Sequence, residues 1–227
     1  MHELVEHLKH KQWLWQGSNT PVEHQFVSTG FDILDSQLSG GFPTCGVVEI
    51  QSISGIGELR LLLPQIRSQL CEQSRLIVFI QPPGMLSSQQ LAAEGIDADR
   101  LLIIQPQTEQ HALWAAEQCA KSGACSHLFL WPQQLEIHQA RRLQVASETG
   151  QCLQFVFRNQ QAHSLSLPVN LSLALSPTEY GISVRINKRK GGWQHGQFDI
   201  DMRSYWPDLA VKERQSVVVP FPFQRQG

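Results

Sequence analysis

No apolar stretch in this chain approaches the ~18–20 residues that a membrane-spanning helix requires. Its longest runs, at 61–64, 76–80 and 128–131, end after a handful of residues. The opening Met1-His-Glu-Leu-Val-Glu has no basic start and no apolar centre, so no secretory leader is expected. Cysteine is sparse: Cys45, Cys71, Cys119, Cys125 and Cys152 are odd in number and form no C-x-x-C. That pattern argues against a disulfide framework or a zinc ribbon and for reduced, mostly buried thiols in a cytoplasmic protein. Motifs of hydrolytic chemistry are missing too, with neither G-x-S-x-G nor H-E-x-x-H present. The nine histidines are scattered, and His2, His7 and His10 share a helix face without a ligand set beside them. Cys119 and Cys125 have no neighbouring His base, so a catalytic thiol is not expected.

What is present suits one soluble domain with extensions: 227 residues, 41% hydrophobic and 17% charged. Charge is unevenly placed. Residues 185–227 hold 8 of the 18 Lys/Arg but only 4 of the 20 Asp/Glu. Half of those cations lie in Arg185-Ile-Asn-Lys188-Arg189-Lys190, which suggests an anionic partner for that segment, nucleic acid or an acidic protein face.

Periodicity predicts a short helix over 2–12, a break at 17–21, and a second helix following Thr29 as N-cap and stopping at Gly40-Gly41. Strands and helices then alternate: strand 46–51, helix 58–72, strand 76–81, helix 87–94, strand 101–104, helix 108–121, strand 127–131, helix 134–149 and strand 152–157. Such alternation indicates βαβ units and a largely parallel sheet. Runs 169–175, 181–187 and 197–201 read as three further strands, antiparallel, joined by Pro/Gly turns. The expected division is an N-terminal helix and arm over 1–26, an α/β domain over 27–204 and an extended tail over 205–227.

Between the first strand and its helix lies a damaged phosphate-binding loop. A working loop reads G-x-x-x-x-G-K-[ST] and opens a helix. Here the frame is Ser52-Ile-Ser-Gly55-Ile-Gly57-Glu58-Leu59. Glutamate replaces the phosphate-binding lysine and leucine the magnesium-binding hydroxyl, so a negative charge would face a triphosphate. Gly55 and Gly57 then either make only the tight turn or retain weak nucleotide contact through backbone N–H groups.

Several spaced motifs carry a family resemblance. Val27-Ser-Thr-Gly-Phe-Asp-Ile-Leu-Asp35, followed by Gly40-Gly-Phe-Pro-x-x-Gly46-Val-Val-Glu-Ile50, resembles the entry to the RecA ATPase core. The similarity continues through Gly95-Ile-Asp-Ala-Asp-Arg100 and spans roughly residues 27–160. Within that group, Gly55-Ile-Gly-Glu-Leu-Arg-Leu-Leu-Leu-Pro64, Ala112-Leu-Trp-Ala-Ala-Glu-Gln118 and the basic stretch after Val184 are similar to the ImuA family of SOS mutagenesis accessory proteins. SulA, the SOS division inhibitor, is similar over about 55–158, including Phe155-Val-Phe-Arg158, and stops near there.

The resemblance implies a RecA-like core, a mostly parallel twisted sheet flanked by helices, without catalysis and without a cofactor. The magnesium-binding acid expected after strand 127–131 is replaced by Trp131-Pro132, and the water-activating Glu expected after 76–81 by Gln81-Pro82. Implied partners are an ImuB-like Y-family polymerase homologue, a DnaE-type error-prone polymerase, and RecA or DNA; under the SulA alternative the partner is FtsZ. Candidate contacts are Arg185, Lys188, Arg189, Lys190 and Trp193, with Arg185, Asn187 and Arg189 expected on one strand face and Lys188 and Lys190 on the other. They could grip DNA, meet a protein, or form a solvated hairpin tip. The tail residues Val219, Phe221 and Phe223 could add to a sheet edge or pack on their own domain.

Overall fold

A computed structural model describes residues 25–72, 74–159, 166–190 and 196–207. The predicted helix over 2–12, Trp193 and the tail residues Val219, Phe221 and Phe223 lie outside the described residues. In chain order the elements are β1 (Phe26–Val27), α1 (Asp32–Gln37), β2 (Phe42–Pro43), β3 (Gly46–Gln51), α2 (Leu63–Glu72), β4 (Leu76–Ile80), α3 (Ser88–Ala93) and β5 (Leu101–Ile104). They continue with α4 (Glu109–Lys121), β6 (Cys125–Leu130), α5 (Ile137–Thr149), β7 (Leu153–Arg158), β8 (Leu171–Thr178), β9 (Gly181–Arg189) and β10 (Gln197–Asp201).

Eight strands form one sheet in the order β10-β9-β8-β3-β7-β6-β4-β5, and β1 pairs with β2 in a small ribbon. The sheet is parallel from β8 through β5 and antiparallel only at β9 and β10. The expected RecA-like α/β class is therefore the one observed. The last three strands run antiparallel to one another as expected, and β8 joins them to the parallel part by pairing parallel with β3.

Alternation along β3 shows how the sheet is covered. Val48 and Ile50 enter the apolar cluster under α1 and α2, while Val47 enters the cluster under α4 and α5. Helix α4 approaches closely because Ala112, Ala116 and Ala120 recur at i, i+4 and i+8, all fully buried. Thr108 caps that helix by accepting the His111 N–H.

The stretch Ser28-Thr-Gly…Asp35 has a local purpose. Both hydroxyls, Ser28 and Thr29, and the Thr29 N–H donate to the Asp35 carboxylate, at 2.5, 2.6 and 2.8 Å. Helix α1 begins at Asp32 with Phe31 as N-cap rather than Thr29 as expected, although the Thr29 hydroxyl oxygen accepts the Phe31 N–H at 3.2 Å. At Gly41 (φ +114) an added Cβ would lie 2.0 Å from the Val27 carbonyl oxygen, so only glycine fits the bend beneath β1.

His127 is completely buried on β6, with Nε2 3.0 Å from Gln65 Oε1 and Nδ1 3.0 Å from Ser126 Oγ. Burial first, and the Arg75 charge second, lower its pKa from 6.5 to about 3. The unfolded chain thus takes up this proton first as pH falls. Stability from His127 is full above about pH 6.5 and is lost towards pH 3. We expect His127→Gln to flatten the acid limb of a stability–pH curve by roughly 1.4 kcal/mol per pH unit between those values. Urea midpoints at pH 7.5 and 5.5 check this, and parallel curves for the two proteins would contradict it.

Candidate functional site

The damaged loop leaves β3 at Gln51 and reaches α2 only at Leu63. The helix was expected from Glu58; it starts five residues later, and residues 54–62 form irregular turns instead. The Glu58 side chain turns back into its own loop and accepts from the Gly55 N–H, at 3.0 Å to Oε1 and 3.1 Å to Oε2, and from the Gly57 N–H at 3.1 Å. Gly55 (φ +90) and Gly57 (φ +98) aim those donors at one point, which gives the concave arrangement that binds anions elsewhere. Glu58 is 6% exposed, so its carboxylate fills this concavity. Sequence reasoning foresaw repulsion of phosphate; the geometry adds occupation. Ser52 is buried and Leu59 packs on the core.

Beside the loop, the C-terminal ends of the strands carry rings rather than acids. Trp131 stacks on Phe157 with centroids 4.5 Å apart and planes 8° from parallel, and Phe79 stacks on Phe129 at 4.7 Å and 12°. Trp131 follows β6 where a magnesium-binding acid would stand. Gln81, in the place of a water-activating Glu, adopts φ +56. The Trp131 Nε1 and Gln81 Oε1 atoms are buried without a protein partner. Strain and unpartnered polar atoms thus coincide at two neighbouring strand ends.

The basic segment is arranged differently from the expected simple alternation. Leu173 pairs with Ile186 and Ser172 with Lys188, so Asn187 is an extra residue, a β-bulge. The bulge shifts every later residue to the opposite face. Arg185 and Lys188 therefore share one polar cavity of about 230 Å3 with Glu49, Gln51, Ser172 and Asn187. Arg189 goes to the other face, where it donates to Ser39 Oγ at 3.0 Å and lies 5.8 Å from the Phe26 ring centre. The cluster proposed from sequence is thus split. Lys188 Nζ donates to the Leu167 carbonyl at 2.5 Å, Arg185 Nε donates to Asn187 Oδ1 at 3.2 Å, and Lys190 is exposed.

At the floor of that cavity is a pair that sequence reasoning missed. Arg158 donates to Glu49 Oε1 at 2.6 Å, and the Ser172 hydroxyl donates to Glu49 Oε2 at 2.6 Å. The side chains are 13% and 4% exposed. A carboxylate inside an apolar strand and a guanidinium at the end of its parallel neighbour were the available signals. With Glu49 neutralised by Arg158, Arg185 and Lys188 give the cavity excess positive charge.

Among the described residues no group of three or more His, Cys, Asp or Glu could hold a metal ion, and no helix is long and apolar enough to cross a membrane. Comparison with known proteins matches the RecA N-terminal domain family over residues 6–130. The RecA protein of a Synechococcus species is 31% identical over 108 residues, covering 48% of this chain and 28% of that protein. The RecA of Synechococcus elongatus is 32% identical over 108 residues, 48% of this chain and 30% of that protein. The chain thus spans less than a third of the length of the curated relatives it matches. Among solved structures, SulA from Pseudomonas aeruginosa is similar at 27% identity, covering 49% of this chain and 97% of that one, with a TM-score of 0.42.

Proposed function

We propose, from the premise that this chain belongs to the RecA N-terminal domain family, that it is a non-catalytic member which works by binding. Its role is that of an accessory protein in SOS-induced mutagenic translesion synthesis in the cytoplasm. The partners under this reading are an ImuB-like Y-family polymerase homologue, a DnaE-type error-prone polymerase, RecA and DNA. The observation that carries the non-catalytic part is the Glu58 carboxylate seated on the Gly55 and Gly57 N–H groups. Phosphate positioning by that loop would require Glu58 to leave. Trp131 and Gln81, in the places of metal ligand and base, supply neither function, so positioning and charge stabilisation both fail.

Anion binding shifts in this reading to the face bearing Arg185 and Lys188. Its excess charge and polar lining support a contact with a phosphate backbone. Changing Arg185, Lys188 and Lys190 together to Ala is expected to weaken single-stranded DNA binding and to lower its salt slope by about two to three units. Arg189→Ala alone should act on stability instead, because its guanidinium is engaged with Ser39 and Phe26. Fluorescence anisotropy over a salt series checks both variants, and absence of DNA affinity in the wild type at low salt removes the DNA part.

The reading as a whole is tested by co-purification with an ImuB-like polymerase homologue, together with calorimetry against Mg-ATP. Complex formation without nucleotide binding is the expected result. Direct binding to FtsZ with filamentation of expressing cells would replace it by division inhibition, and micromolar Mg-ATP binding would overturn the loss of nucleotide function.

A further inference from the structure

Helices α4 and α5 pack side by side over one apolar cluster, and each turns small residues inward and larger apolar ones outward. Helix α4 buries Ala112, Ala116 and Ala120, while Trp114 on its outer side is 62% exposed. Helix α5 buries Ala140, Leu143 and Ala146, and leaves Ile137 and Val145 exposed. A helix that meets only water places polar residues there. Nor do these three stand singly, as surface apolar residues commonly do. Ile137 and Val145 line a cavity of about 860 Å3 that takes in Glu117 and Lys121 of α4, and Trp114 lines a second of about 430 Å3. Both cavities include Glu117, His138 and Arg142, so they form one groove crossed by the Glu117–Arg142 ion pair.

Charge selects the occupant. Glu117 is held by Arg142, and Glu136 serves the capping box of α5 and lies 3.1 Å from His138 Nδ1. Lys121 and Arg141 are exposed, and among the described residues neither has a carboxylate partner. Surplus positive charge along an apolar groove suits carboxylates at the border of an apolar stripe. The ends of this chain do not supply that pattern. Residues 2–12 carry Lys9 and Lys11 against Glu3 and Glu6, and residues 208–227 carry Lys212, Arg214 and Arg225 against Asp208 and Glu213. From Ile137 to Val145 is just over two turns of α5, about 12 Å, which matches apolar side chains at i, i+4 and i+7 on a second helix.

We propose that the α4–α5 groove is the docking site for an amphipathic helix of a protein partner, one whose apolar stripe is bordered by Asp or Glu. The stripe covers Trp114, Ile137 and Val145, and the carboxylates meet Lys121 and Arg141. Trp and Arg are the residue types that most often carry the binding energy of such contacts. The Glu117–Arg142 pair ties the two walls together and stays in place. The groove shares no lining residue with the cavity of Arg185 and Lys188, so its occupancy is tested independently of DNA binding there.

The probe is a fluorescein-labelled helical peptide with Leu at i, i+4 and i+7 and Glu on both flanks, and a second peptide carries Lys in place of Glu. In anisotropy titrations with the protein, the acidic peptide should bind at least about tenfold more tightly than the basic one. Val145→Asp should weaken the acidic peptide about tenfold. Lys121→Glu combined with Arg141→Glu should reverse the preference between the peptides. Slower hydrogen exchange in α4 and α5 when the acidic peptide is added to the wild type needs no variant, and it keeps the test open if a substituted protein fails to fold. Equal binding of the two peptides, or no saturable binding of either, overturns the proposal. So does competition by single-stranded DNA, which would make this a nucleic-acid surface. A wild-type dimer in sedimentation that Val145→Asp dissociates would overturn it as well, because a second copy then covers the groove.

Discussion

Glu58→Ala is expected to cost about 2–3 kcal/mol and to make the protein's stability depend on sulfate. The carboxylate now satisfies two N–H groups through three contacts of 3.0–3.1 Å, at a site 6% exposed. Alanine leaves both donors facing a concavity of suitable shape for an oxyanion. A free anion that binds only the folded variant then stabilises it by mass action. Sulfate also stabilises proteins generally by exclusion, so the comparison must include the wild type and a chloride control. The expected result is a steeper rise of the urea midpoint with sulfate in the variant than in the wild type. Equal slopes would show that Glu58 does not act as the loop's built-in anion. Glu58→Lys should still produce no ATP turnover above background, because Trp131 and Gln81 remain where a metal ligand and a base would be needed.

A larger loss is expected at the floor of the basic cavity. Arg158→Met should cost about 3–5 kcal/mol, since it strands the Glu49 carboxylate with only the Ser172 hydroxyl. Combining it with Glu49→Gln should recover part of that loss, as the unpaired charge is then gone. Urea unfolding of the two single variants, the double variant and the wild type gives the coupling. A loss under about 1 kcal/mol for Arg158→Met would mean that water solvates the pair despite its burial.

The alternation of strands and helices was legible because each element repeats its apolar residues at its own period, as Ala112, Ala116 and Ala120 do along α4. Which strands neighbour one another was less so. β8 has the same composition whether it runs parallel or antiparallel to β3, and only the long return from β7 decides. The start of α2 was misplaced for a different reason. Leu59, Leu61 and Leu62 continue a helical spacing, which does not fix where the first regular turn closes, and the chain stays in turns to Leu62. At the candidate site the residue types Glu58, Gln81 and Trp131 could be read position by position. The capture of the vacated donors by Glu58 could not, since it depends on a side-chain direction that spacing does not encode.

The bulge at Asn187 has a consequence for how this surface can change over time. Because one surplus residue sets which cations look into the cavity and which brace β1, the two jobs are separated by a count rather than by composition. Deleting Asn187 would restore plain alternation, and the neighbours of Ser172 and Leu171 would each move by one position. The charge of the segment would be untouched, yet its direction would reverse. A single codon lost or gained here could therefore redirect the protein towards a new partner while leaving every basic residue in place.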